Sequence, residues 1–363
     1  MEKDLTKGPI LKTLLLFALP MILGNLLQQI YNITDTIIVG RVLGSGALAA
    51  VGSTYTLMTF LTSVMIGLCM GCGALFSMHY GAGHQDKMKE CMWISFWLIL
   101  LVTVIMYLIV FPGTDGILNL LQTPADIYRL MRTYSRIIFL GIGFTFLYNY
   151  FAFVLRAVGN SVLPLIFLAI SSLLNIALDL LFIVQIGTGT AGAAYATVIS
   201  QAVSGILVIL YFARFRKMNL NKNMFLPHTE HIKLIVSLGA ASFFNQIALA
   251  VVQIFMNNIL RYYGAASAYG SDIPIACVGI ISKVNMVFLS ICIGISQGSQ
   301  PIWGFNYGAG KYDRVRKTYR YSVTACTIIA TVFFLCFQFF PHQIVGLFGT
   351  GSDLYFQFAE RYL

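Results

Sequence analysis

Two aspartates stand inside apolar stretches that give a carboxylate no evident access to water. Asp35 lies in NITDTIIVG and Asp179 in LNIALDLLFIV. Of 13 acidic residues, only these two fall well within apolar helices. A charged side chain at mid-bilayer costs about 2.5–3.5 kcal/mol on insertion scales, so its presence marks a pathway or a partner. Asn175 precedes Asp179 by four residues, and one helical turn stacks them on the same face. Thr197, in AYATVIS, can bring a hydroxyl to the same cavity. Such oxygens suit two uses. A carboxylate buried without a partner tends to take up a proton, and a ring of carboxylate, amide and hydroxyl oxygens can hold a hard cation such as Na⁺. The plainer alternative is that each Asp accepts a hydrogen bond between helices or caps a broken one.

The elements that position these residues follow from composition. The chain has 363 residues, 58% hydrophobic and 10% charged, whereas a soluble domain carries about 25% charged residues. Soluble, disordered and fibrous classes are therefore excluded, and repeated apolar runs of roughly 20 residues indicate an all-α polytopic membrane protein. Helices are expected at 10–40, 46–78, 92–112, 133–156, 162–186, 190–213, 231–262, 272–303 and 320–342, with a tenth beginning near 352. The first run is too long and continuous for a signal peptide. Pro20 interrupts it and permits a kink.

The net charge of +10 is explained by topology. With the N-terminus in the cytoplasm, 16 of 23 basic residues fall on cytoplasmic segments and six on outer ones. That is the positive-inside pattern, and no nucleic-acid partner is needed. The seven cysteines lie mostly in apolar runs. Cys69 and Cys72 have CxxC spacing without a second pair. No zinc-site spacing, nucleophile triad or phosphate loop is present, so neither an enzyme nor a cofactor other than a coupling Na⁺ or H⁺ is expected.

An internal repeat organises the chain. IGLCMGCGALFSMHYGAGHQD (Ile66–Asp86) aligns with IGISQGSQPIWGFNYGAGKYD (Ile293–Asp313) at a constant offset of 227. Ala49–Gly52 and Asp126 meet Ala276–Gly279 and Asp353 at the same offset. Six helices separate the repeats, an even number, so they are parallel, as in transporters whose halves face a central cavity. The expected division is a six-helix bundle at 1–213, a cytoplasmic linker at 214–230 and a second bundle at 231–363. The second repeat stops within its fourth helix. The expectation is thus about nine to ten of twelve helices, an incomplete second bundle, and no transport by this chain alone.

Second-half polar residues are less specific. Lys283, in GIISKVNMVF, lies about ten residues from either helix end, too far to snorkel easily. It would line a substrate cavity, pair with a carboxylate, or reach water by helix tilt. Asn245, Gln297 and Gln300 are further cavity candidates, and each could equally join helices.

These stretches together resemble the multidrug and toxic compound extrusion (MATE) family, in its bacterial drug-exporter branch. The carriers are Ala18–Gly44, LRAVGNSVLP (Leu155–Pro164), LNIALDLLFI (Leu174–Ile183), GAAYATVISQ (Gly192–Gln201) and QGSQPIWGFNYGAGKYDRVR (Gln297–Arg316). The resemblance implies two six-helix bundles with alternating access. It implies an antiporter, coupled to a cation or proton, that exports small amphipathic or cationic drugs across the plasma (inner) membrane. It places the cation site on Asp35, Asn175, Asp179 and Thr197, and adds Tyr134, in RTYSRIIF, to that network. A monomer with a cytoplasmic N-terminus is expected. The runner-up is a lipid-linked oligosaccharide flippase of the same superfamily, which would favour a more basic cavity. Two departures stand out. The seventh helix, ALAVVQIFMNN (Ala248–Asn258), has no acidic residue, and SLGAAS (Ser237–Ser242) lacks a proline resembling Pro20.

Overall fold

The computed structural model describes residues 4–121, 123–215, 229–267, 269–270, 272–346 and 353–362. They form α1 (Ile10–Leu43), α2 (Ser45–Gly81), α3 (Gln85–Val110), α4 (Thr114–Leu120), α5 (Ala125–Leu140), α6 (Ile142–Ala157), α7 (Val162–Asp179) and α8 (Thr190–Phe215). The second half supplies α9 (Thr229–Ala265), α10 (Asp272–Gly308), α11 (Tyr312–Phe339), α12 (Pro341–Gly346) and α13 (Asp353–Tyr362). No strand occurs among the described residues. Eight of these helices are long and apolar enough to cross a membrane, and the α5–α6 pair makes a ninth span if it is counted as one.

Three elements depart from the sequence expectation. The helix expected at 133–156 begins at Ala125 and breaks at Gly141, where α5 and α6 meet at 44°. Val198 and Gln201 of α8 crowd Gly141, so a side chain there would press against both of theirs. Two short helices, α4 and α12, are too brief to show an apolar period. They begin at Thr114 and Pro341, which are related by the same offset of 227 as the repeat. The linker expected at 214–230 lies mostly outside the described residues.

The two halves meet through small residues, and the contacts repeat. Gly71 of α2 lies against Ile235 and Gly239 of α9, and Gly67 against Gly239 and Phe243. In the second half, Gly298 of α10 lies against Ala18 of α1, and Gly294 against Ile22. Gly67 and Gly71 correspond to Gly294 and Gly298 by the 227 offset. Ala18 and Ile22 correspond to Gly239 and Phe243 by a shift of 221. One packing mode, in which glycine admits a facing backbone, is therefore used twice. Nearer the YGAG turns, Gly81 meets Phe305 and Gly308 meets Met78.

Beside those turns the N-terminal segment is strapped to the second half. Leu5 is fully buried with Leu14, Phe17, Ile302 and Phe305. Asn306 Nδ2 donates to the Leu5 carbonyl at 3.1 Å, Lys311 Nζ to that of Thr6 at 3.1 Å, and Arg314 to those of Gly8 and Lys7 at 3.0 and 3.3 Å. Arg314 Nε also donates to Asn306 Oδ1 at 3.0 Å. Arg314→Ala removes three of these bonds and is expected to expose residues 4–9 to protease while leaving the helices protected. Limited proteolysis followed by mass spectrometry reads the cleavage sites.

At the opposite end of α3, α4 is tied to α5. Asp115 accepts from Arg132 Nε and Nη2, from Arg136 and from the Tyr128 hydroxyl. Arg132, the largest contributor, holds the Asp115 carboxyl below its ordinary value of 3.8. A carboxyl depressed on folding contributes stability above its unfolded value and loses it as pH falls through the lower folded value. Protection of the α4 amides, relative to their intrinsic exchange rates, is therefore expected to fall below pH 3.8, and to be low already at neutral pH in Asp115→Asn.

Candidate functional site

Four helices of the first half converge on one polar pocket. α1 carries Asp35, α5 carries Tyr134, α7 carries Asn175 and Asp179, and α8 carries Thr197. Asp179 is the last α-helical residue of α7. The next six residues, Leu180–Gln185, form a π-helical turn, with the Ile186 N–H bonded to the Leu181 carbonyl at 2.9 Å. Such turns recur at functional sites because they shift the register of the side chains around them. Val39, Ile137, Ile138, Ile183, Ala193 and Ala194 form an apolar cluster that also includes Tyr134.

Asp179 has no exposed surface and Asn175 is 2% exposed. The Asp35 and Asp179 carboxyl groups are close enough to feel each other's charge. As carboxylates both can only accept. Asp35 Oδ1, Asp179 Oδ1 and Oδ2, and Asn175 Oδ1 are all buried without a donor. The nearby donors are engaged elsewhere. Asn175 Nδ2 donates to Thr197 Oγ1 at 3.5 Å, and Thr197 Oγ1 donates to the Ala193 carbonyl at 3.1 Å. Among the described residues, no Lys, Arg or His forms an ion pair with either aspartate.

The pocket thus brings together Asp35, Asn175, Asp179, Thr197 and Tyr134. Tyr134 is buried close enough to feel both carboxylates. Sequence reasoning passed over Tyr31, which feels the same carboxylates. The available signal was its spacing, one turn before Asp35 on the same face of α1.

The second-half candidates are not gathered here. Gln300 Nε2 donates to the Met70 carbonyl at 2.8 Å and so joins α10 to α2. Gln297 is half-buried on α10 and Asn245 is exposed on α9. The Lys283 side chain lies outside the described residues.

Chemically, the pocket is a cluster of oxygen acceptors with too few donors. Two facing carboxylates in a low-dielectric setting repel each other unless a positive charge lies between them. A proton satisfies this, and so does a hard cation that takes oxygen ligands.

Comparison with known proteins agrees with this architecture. A model of the MatE family matches residues 20–181 and 242–363. The probable multidrug resistance protein YoeA of Bacillus subtilis is 31% identical over 360 residues, covering 96% of this chain and 75% of that protein. The multidrug export protein MepA of Staphylococcus aureus is 26% identical over 349 residues, covering 96% and 76%. Among solved structures, an outward-facing multidrug resistance MATE transporter of the MOP superfamily superposes with a TM-score of 0.89. It is 22% identical, over 99% of this chain and 79% of the other. With its helical spans, repeated packing and family match taken together, the chain belongs to the MatE family of membrane transporters.

Proposed function

We propose that the protein is an exporter of small amphipathic or cationic compounds, driven by exchange for a proton or Na⁺ at Asp35 and Asp179. The observation that carries this reading is the set of four buried acceptor oxygens on Asp35, Asn175 and Asp179 that have no donor. Such a set binds positive charge and has to release it for the site to cycle. Both a proton and Na⁺ suit these residues. The multidrug roles in the names of YoeA and MepA support the substrate class.

In this reading the N-terminus and the YGAG turns face the cytoplasm, and the glycine-lined contacts between halves close that side. Substrate leaves towards the opposite side, and cation uptake at the aspartates accompanies the return. Tyr31 and Tyr134 shape the pocket wall. Lys283, Gln297 and Asn245 contribute to the substrate path, whereas Gln300 holds the halves together. The two bundles, at 1–213 and 231–363, move relative to each other during the cycle.

Proteoliposomes loaded with a cationic dye test the coupling. A pH gradient and a Na⁺ gradient are imposed separately, with the membrane potential clamped. Dye movement driven by one of them names the ion. Dye movement indifferent to both gradients defeats the exchange reading.

A further inference from the structure

Away from the aspartate pocket, three side chains with metal-binding chemistry converge where the two halves meet. His79 is in the last turn of α2, Cys91 in the second turn of α3, and His231 in the first turn of α9. One ligand atom from each lies within 4.8 Å of the others. The imidazole rings are 6.2 Å apart and stand edge to face at 83°. Cys91 is fully buried and in no disulfide. His79 Nε2 is buried and has no hydrogen-bond partner.

Two imidazoles and a thiol suit a borderline-soft ion. Mg²⁺ and Ca²⁺ prefer oxygen ligands, whereas nitrogen with thiolate selects Zn²⁺ among common divalent ions. Zn²⁺ bonds to nitrogen at about 2.0 Å and to sulfur at about 2.3 Å, so tetrahedral ligands sit roughly 3.3–3.7 Å apart. The three side chains need to close by about an ångström, within reach of small rotations about their side-chain bonds. Water can complete the set as the fourth ligand.

We propose that His79, Cys91 and His231 form a Zn²⁺ site that fastens α2 and α3 of the first half to α9 of the second. Binding converts the Cys91 thiol to a zinc-bound thiolate and releases its proton to water. The site lies on the same α2–α9 seam as Gly71 and Ile235, two turns further along α2. Bound Zn²⁺ therefore stabilises the closed seam by linkage. On the exporter reading above, transport opens this seam, and bound Zn²⁺ slows it.

The test begins with the purified full chain, stripped by a chelator and titrated with Co²⁺ as a spectroscopic stand-in for Zn²⁺. One equivalent is expected to give tetrahedral visible bands together with a thiolate charge-transfer band, both removed by added Zn²⁺. Cys91→Ser should abolish the charge-transfer band, and His79→Gln should weaken binding by roughly tenfold or more. Circular dichroism and elution as a single species show that each variant is folded. The site is overturned if folded wild-type protein gives no charge-transfer band, or if Cys91→Ser keeps it, which would assign the metal to other cysteines. Dye efflux with and without Zn²⁺ is read separately. Zn²⁺ binding without any effect on efflux leaves the site standing and removes its link to transport.

Discussion

In protein that exports dye, replacing Asp179 with Asn is expected to abolish the efflux while making the purified protein more resistant to heat. Both effects have the same origin. In the native pocket Asp179 faces Asp35 with both of its own oxygens lacking donors. A buried polar atom left without a partner costs about 1–3 kcal/mol. An amide has nearly the same shape, removes one of two opposed charges and offers N–H donors to Asp35. The variant therefore gains on the order of 1 kcal/mol in stability. On the exchange reading proposed above, it also loses the charge that would attract and release a coupling cation. Thermal melting and proteoliposome efflux of the same preparation read the two quantities. A variant that melts higher and still exports would place the coupling elsewhere. One that melts lower would mean that Asp179 is held by a partner, contrary to the proposed tension. Active sites tolerate such unfavourable local arrangements, and relieving them commonly exchanges activity for stability.

The second large effect is expected at the seam between halves. Gly71→Val puts branched carbon against the Ile235 carbonyl and close to the Gly239 N–H, whose nitrogen would lie 2.9 Å from the new Cβ. Both neighbours are backbone, so no side-chain rotation can relieve the clash. Overpacking a tight core costs typically 1–3 kcal/mol, and Val at this position is expected near the top of that range. Gly298→Val, the repeat-related change, meets the Ala18 Cα at 2.6 Å and is expected to cost a similar amount. Gly279→Ala on α10 is the control. Nothing lies within 4 Å of its added Cβ, and alanine favours helix over glycine by about 1 kcal/mol. Melting curves should separate the seam variants from the control in opposite directions. Equal behaviour of all three would refute the close-packing role of the repeated glycines.

How much of this was legible beforehand depended on the kind of constraint. Membrane class and most spans follow from apolar runs, because a bilayer of about 30 Å demands them wherever the chain crosses. The aspartate pocket could be anticipated because the energetic penalty for a carboxylate in oil is local to each residue. Asn175 and Asp179 share a face by helical geometry alone. Tyr31 escaped notice because a tyrosine within a membrane helix carries no comparable penalty, and only its spacing from Asp35 linked it to the site. The bend at Gly141 was hidden because glycine in an apolar run is common, and the crowding by Val198 and Gln201 belongs to another helix. The helices α4 and α12 were too short to register a period.

By itself, the sequence determined the helical membrane class, the parallel repeat and the oxygen-rich character of the first half. Each of these is written in local composition or in a constant offset along the chain. Tertiary structure alone decided that Asp35 meets Asp179, that the repeated glycines mate with α1 and α9, and that His79, Cys91 and His231 converge. Those outcomes depend on how separate helices lie against one another, and residues as distant along the chain as Cys91 and His231 become neighbours only when that packing is complete.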